Sequence, residues 1–157
     1  MRRLIAVIGE SAFSDPASEP RAEEIGRLIG AAGDVLICGG LSGVMEAACR
    51  GAKSAGGMTV GILPGADRAD ANRFVDVAIA TGLGEMRNVI IVMNADGVVA
   101  IGGGYGTLSE IGHALRAGKP VVGLGTWEAV RGGTPAATLT ADSSQDAWAK
   151  LIQAMAK

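Results

Sequence analysis

Residues 102–110, Gly102-Gly103-Gly104-Tyr105-Gly106-Thr107-Leu108-Ser109-Glu110, hold four glycines in their first five positions. Glycine has no Cβ, so such a loop lets the backbone approach an anion closely, and the free N–H groups opening the next helix point at it. The helix dipole contributes about 0.3–2 kcal/mol for a nearby negative charge. Thr107 can cap that helix or give its hydroxyl to a phosphate oxygen. Glu110 lies about one turn inside, on a face that can look back at the ligand. There it is either an acid complementing the dipole or a carboxylate that stabilises positive charge on a sugar or moves a proton. Arg87, in Gly84-Glu85-Met86-Arg87-Asn88, suits a phosphate or carboxylate partner, or else a surface salt bridge.

A second loop, Gly39-Gly40-Leu41-Ser42-Gly43-Val44-Met45, repeats the pattern. Met45 can pack against a planar ring or belong to the core. Tyr105, the only tyrosine, can stack on a ligand, cover its loop or meet another subunit. His113, the only histidine, reads as packing or surface, and no metal-ligand cluster is visible. The Lys of a P-loop is missing and GGGYGT is not GxGxxG; the first strand, Val7-Ile8-Gly9-Glu10-Ser11, also lacks the dinucleotide fingerprint.

The elements that must position these loops alternate. Apolar runs without polar alternation, Leu4–Gly9, Val35–Gly39, Thr59–Leu63, Val75–Ile79, Val98–Gly102 and Val121–Leu124, read as strands covered on both faces. Helical stretches fall at Pro20–Ala32, Gly43–Ala55, Thr107–Ala117 and Ser143–Ala156. Residues 89–99 read locally as a hairpin, but a helix from about Leu83 to Ala95 completes another strand–helix–strand crossover and is preferred. Right-handed crossovers then give a Rossmann-like α/β fold: an open, mostly parallel sheet of six or seven strands with helices on both faces. Ile37-Cys38-Gly39-Gly40 through Gly61 echoes Ile101-Gly102-Gly103-Gly104 through Gly123, two similar crossover units whose loops meet at the carboxyl edge, where ligands bind.

Composition sets limits. The 157 residues imply one domain spanning 1–157. At 48% hydrophobic and 19% charged the chain can build a core, and a net charge of -2 excludes a broad basic footprint for nucleic acid or anionic membrane. No apolar run is long enough to span a bilayer and no signal peptide is visible, so a cytoplasmic protein is expected. Aromatics are only 3%, and the 25 glycines lie mostly at the ends of apolar runs. Cys38 and Cys49 read as buried free thiols.

These residues together resemble the Rossmann-like proteins that include the LOG phosphoribohydrolases, which activate cytokinins, and the molybdenum cofactor carrier proteins. Some of that group carried the label of possible lysine decarboxylases. The resemblance covers nearly the whole chain. Gly103, Gly104, Gly106, Thr107 and Glu110 match the LOG motif PGGxGTxxE, with Gly102 at its proline, and the LOG Arg-Lys pair stands as Arg87-Asn88. GlyGlyxxGlyxMet, Arg-Asn and the tripled glycine look more like the carrier-type branch. The resemblance implies a binding protein for a phosphate-bearing ring compound, a nucleotide or molybdenum cofactor, held by Gly9, Ser11, Gly39, Gly40, Gly43, Met45 and Gly102 to Thr107 (Gly102, Gly103, Gly104, Tyr105, Gly106, Thr107). The alternative it implies is an N-glycosidic hydrolase of nucleoside 5′-monophosphates such as AMP, needing no cofactor, with Arg87 and Glu110 as the catalytic pair. A decarboxylase is not expected, because no residue identifies a pyridoxal phosphate lysine. The resemblance also implies a homo-oligomer, dimer or tetramer, for which the apolar helix near Val89–Met93 can supply an interface.

Overall fold

The computed structural model describes residues 1–156. In chain order the elements are β1 (Leu4–Gly9), α1 (Ser18–Ala31), β2 (Val35–Cys38), α2 (Val44–Ser54), β3 (Met58–Leu63), β4 (Val77–Ala80), α3 (Arg87–Asn94), β5 (Gly97–Ile101), α4 (Tyr105–Arg116), β6 (Val121–Leu124), β7 (Val130–Arg131), β8 (Thr134–Pro135), β9 (Leu139–Thr140) and α5 (Ser144–Met155). Seven strands form one sheet in the order β4-β3-β2-β1-β5-β6-β9, every neighbouring pair parallel. This is the Rossmann-like α/β architecture expected from the apolar runs. β7 and β8 make a separate antiparallel hairpin. No helix among the described residues is long and apolar enough to cross a membrane.

The sheet divides the core in two. Ile5 and Val7 of β1 face α1, α2 and α5, where they meet Ile25, Ile29, Ala48 and Leu151. Ala6 and Ile8 face α3 and α4, where they meet Ile91, Val92, Ile111 and Ala114. Successive strand residues point to opposite faces, so each strand must be apolar throughout. The two crossover units of the sequence echo are real, but α2 and α4 lie on opposite faces. Because the strand order runs outward in both directions from β1 and β5, crossovers of one hand place their helices on opposite sides.

Among the differences from the expected elements, three have a plain physical reason. The fourth strand begins at Val77 rather than Val75, because Asp76 first clamps the chain to β3: its N–H donates to Thr59 Oγ1 at 2.9 Å and its carboxylate accepts from Thr59 N at 2.9 Å. The helix expected from Leu83 begins at Arg87, after a single 3-10 turn at Gly84–Met86. Gly84 has φ +57°, a left-handed conformation that no helix can continue through. The third difference is an addition: residues 130–140 supply the hairpin and the edge strand β9, held by only two residue pairs, Val122 with Leu139 and Gly123 with Thr140.

Several glycines serve packing between helices, rather than turns or ligands. Gly26 and Gly30 of α1 and Gly51 of α2 lie where the two helices cross almost backbone to backbone. A Cβ at Gly26 would sit 1.9 Å from the Ala48 carbonyl oxygen, and one at Gly51 would sit 1.8 Å from that of Glu23. Ala22, Ala48 and Ala52 are fully buried at the same crossing. Few aromatics are needed when small residues bring backbones this close.

Candidate functional site

The strand order reverses between β1 and β5, so the loops after these strands leave in opposite directions and open a crevice at the carboxyl edge. A cavity of about 440 Å³ lies there. Its walls come from every loop that the sequence singles out: Gly9 and Ser11 after β1, Gly39 and Met45 after β2, Arg87 at the start of α3, and Gly104, Gly106, Thr107 and Glu110 at the start of α4.

Arg87 is 9% exposed and Glu110 6%, so Arg87 makes no surface salt bridge and both charges stand inside the protein. Asn88 Oδ1 accepts from Arg87 Nη1 and orients the guanidinium. Gly39 makes room for it: a Cβ there would stand 2.6 Å from Arg87 Nη2 and 2.6 Å from Met45 Sδ. Arg87 lines the cavity, while its Nε is fully buried and has no hydrogen-bond partner among the described residues. Burial lowers the Arg87 pKa, opposed by the nearby carboxylate of Glu110. Burial pushes the Glu110 carboxyl up to about 7, while Arg87 pulls it down through its field. A carboxyl of that kind is part protonated near neutral pH and can give or take a proton there.

The glycine loop supplies further donors. Leu108 N–H makes the first bond inside α4, to Gly104 O at 3.1 Å, and no side chain caps the helix. The N–H groups of Tyr105, Gly106 and Thr107 therefore have no acceptor within the helix. Gly103 shapes this turn, at φ +100° and packed over Thr107. A Gly103→Ala chain would put its methyl 2.3 Å from Thr107 Oγ1. We expect it to lose about 1–3 kcal/mol of stability. Gly104→Ala, whose Cβ would meet nothing within 4 Å, should change little. Urea melts of the two variants check the contrast, and equal losses would contradict it.

Not every expected residue faces the cavity. Gly40 packs against Leu63 and Gly61, with its carbonyl held by Asn72 N at 2.9 Å and Asn72 Nδ2 at 3.2 Å. Gly43 sits against the carbonyls of Glu10 and Ser11 and ties the first two loops together. Gly102 lies against the Glu10 carboxylate, and a Cβ there would be 2.9 Å from Glu10 Oε1. Tyr105 is 81% exposed and tilts over Trp127 at 5.5 Å, while the Trp127 indole donates to Gly104 O at 3.0 Å. These two rings brace the glycine loop from outside. His113 is exposed on α4.

Sequence reasoning passed over Glu10 and Leu41, which also line the cavity, as does Asn88 of the Arg-Asn pair. Glu10 carried a signal, an acid between two small residues at the end of the first strand. Burial raises its carboxyl, but hydrogen bonds from Ser14 Oγ at 2.6 Å and Ser14 N at 3.1 Å, together with Ser18, hold it below the usual range. Among the described residues, no group of three or more His, Cys, Asp or Glu stands together to hold a metal ion.

A parallel sheet with a glycine-walled crevice at its switch point defines a Rossmann-like α/β protein. The chain belongs to the SLOG cluster4 family, whose model matches residues 2–155. An uncharacterized protein of Archaeoglobus fulgidus is 50% identical over 120 residues, 76% of this chain and 78% of that one. Among solved structures, the molybdenum cofactor binding protein of the phototrophic bacterium Rippkaea orientalis superposes with a TM-score of 0.89. It is 36% identical, over 100% of this chain and 99% of that one. The molybdenum cofactor carrier protein of Chlamydomonas reinhardtii is also 36% identical, with a TM-score of 0.87 over 100% of each chain.

Proposed function

We propose that this chain is a single-domain carrier that binds a phosphate-bearing ring compound of the molybdenum cofactor kind in the crevice between β1 and β5. The observation that carries the reading is the largely buried Arg87 guanidinium lining the same cavity as the open amides of α4. Full-length likeness to cofactor carriers supports the choice of ligand. In this reading Arg87, Gly104, Gly106 and Thr107 hold the phosphate, and Gly9, Ser11, Gly39 and Met45 receive the ring. Gly40, Gly43, Gly102, Gly103 and Tyr105 keep the loops in shape. The apolar residues Leu83 (51% exposed), Met86 (75%) and Met93 (53%), beside and on α3, support a homo-oligomer.

One observation favours a second reading. A carboxyl at about 7, buried beside a fixed arginine, suits a hydrolase of nucleoside 5′-monophosphates. There Glu110 would stabilise an oxocarbenium-like sugar and position water, and Arg87 would orient the ligand.

A direct comparison separates the two. The purified protein is mixed with molybdenum cofactor, passed over a desalting column and assayed for retained pterin by fluorescence after oxidation. A parallel sample is incubated with AMP and assayed for adenine. Pterin retained, with no adenine, is the expected result. Arg87→Ala should weaken retention about tenfold or more, the loss of a charge-assisted hydrogen bond of about 1.5–3 kcal/mol. Adenine release that disappears in Glu110→Ala, without pterin retention, would replace the carrier by the hydrolase.

A further inference from the structure

Cys38 ends β2 and Cys49 lies on the buried face of α2, beneath the crevice and outside the machinery described above. Both side chains are fully buried, and their Sγ atoms are 3.5 Å apart. Only these two cysteines occur in the chain. We propose that they are a redox modification site, two thiols that hydrogen peroxide converts reversibly into an intramolecular disulfide. The bond closes a loop around Gly39–Gly43 and so staples one wall of the crevice to α2.

The geometry assigns different roles to the two sulfurs. Cys38 Sγ accepts from Gly40 N–H at 3.3 Å as well as facing Cys49. The contact with Cys49, helped by Gly40 and opposed by burial, holds the Cys38 thiol below its ordinary value. The same contact and burial push the Cys49 thiol up. Cys38 is therefore the attacking sulfur, since the thiolate is the nucleophile. Cys38 adjoins Gly39, which lines the crevice beneath Arg87 and Met45.

Cys38 gives up its proton and attacks one peroxide oxygen. The O–O bond breaks, the departing hydroxide takes that proton and leaves as water, and Cys38 becomes a sulfenic acid. Cys49 then attacks the Cys38 sulfur, the S–S bond forms and the S–O bond breaks. The Cys49 proton leaves with the hydroxide as a second water. The two thiols lose two electrons, and the peroxide gains them.

The test uses the whole reduced chain under native conditions. It is treated with hydrogen peroxide, quenched, denatured and alkylated, and its mass is measured. The expected product is a single chain lighter by two hydrogens that takes up no alkylating agent, and dithiothreitol restores both thiols. Cys49→Ser should lose no hydrogens and leave a sulfenic acid at Cys38 that dimedone traps. Should that variant not fold, the measurement on the unaltered chain decides alone. The proposal is overturned if both thiols stay alkylatable at a peroxide dose that oxidises the unfolded chain. Bonds forming between chains, or Cys38 running on to the sulfinic acid, would overturn it equally.

Discussion

Glu110→Gln should become steadily more stable, relative to the unaltered chain, as pH rises from about 4.5 to 8. The carboxyl is held at about 7 in the fold and titrates at about 4.3 when unfolded. Between those values the folded chain binds more protons than the unfolded chain, so stability falls as pH rises through 7. The ionised form of Glu110 costs about 3 kcal/mol by pH 8. Glutamine has no such titration, and all other ionisable groups cancel between the two chains. At low pH a protonated Glu110 and a glutamine are near equivalents, so the difference there should be small. Urea midpoints at the two pH values give the result, and a constant difference would mean that Glu110 is not desolvated by its site. The same arrangement has a functional consequence. An anion beside Glu110 meets less repulsion when the carboxyl is protonated, so ligand and proton should favour one another.

Gly51→Ala should destabilise the fold by about 2–3 kcal/mol, lowering Tm by about 5–10 °C. Its Cβ would sit 1.8 Å from Glu23 O and 2.9 Å from Arg27 N, backbone atoms that only a parting of α1 and α2 can move. Parting them opens the core around Ile25, Ile29 and Ala48, all fully buried. In an isolated helix the same change would be favourable by about 1 kcal/mol. Gly112→Ala offers that comparison within the protein. A Cβ at Gly112 meets nothing within 4 Å on the exposed face of α4, and this variant should gain about 0.5–1 kcal/mol. Calorimetric melts of both variants would show opposite signs. If both were stabilised, the close helix crossing would not exist in solution.

The parallel sheet was legible because a strand covered on both faces must be apolar at every position, and Val35–Cys38 or Gly97–Ile101 can hardly be read otherwise. The hairpin was less legible. Arg131-Gly132-Gly133-Thr134 carries the Gly-Gly turn signal, but its strands have two residues each, too few for a period. Of the candidate site, the glycine loops could be placed at one edge by topology. Which of their residues face the cavity could not, since Gly103 and Gly104 are told apart only by the backbone turn between them and by what stands over each.

Chain order and residue type alone determined the alternation of strands and helices, the crossover topology and the edge where the two glycine loops meet, because each follows from local periodicity and the fixed hand of connections. Tertiary structure alone decided that Arg87 and Glu110 are buried, that their charges perturb one another and that Cys38 lies against Cys49. Burial and charge coupling arise from the dielectric and distances that neighbouring elements create, and residues 23 or more positions apart, such as Arg87 and Glu110, acquire those only when the sheet is assembled. The helix glycines teach the same lesson: Gly26 and Gly51 look like weak points in their helices until the opposing backbone is in place.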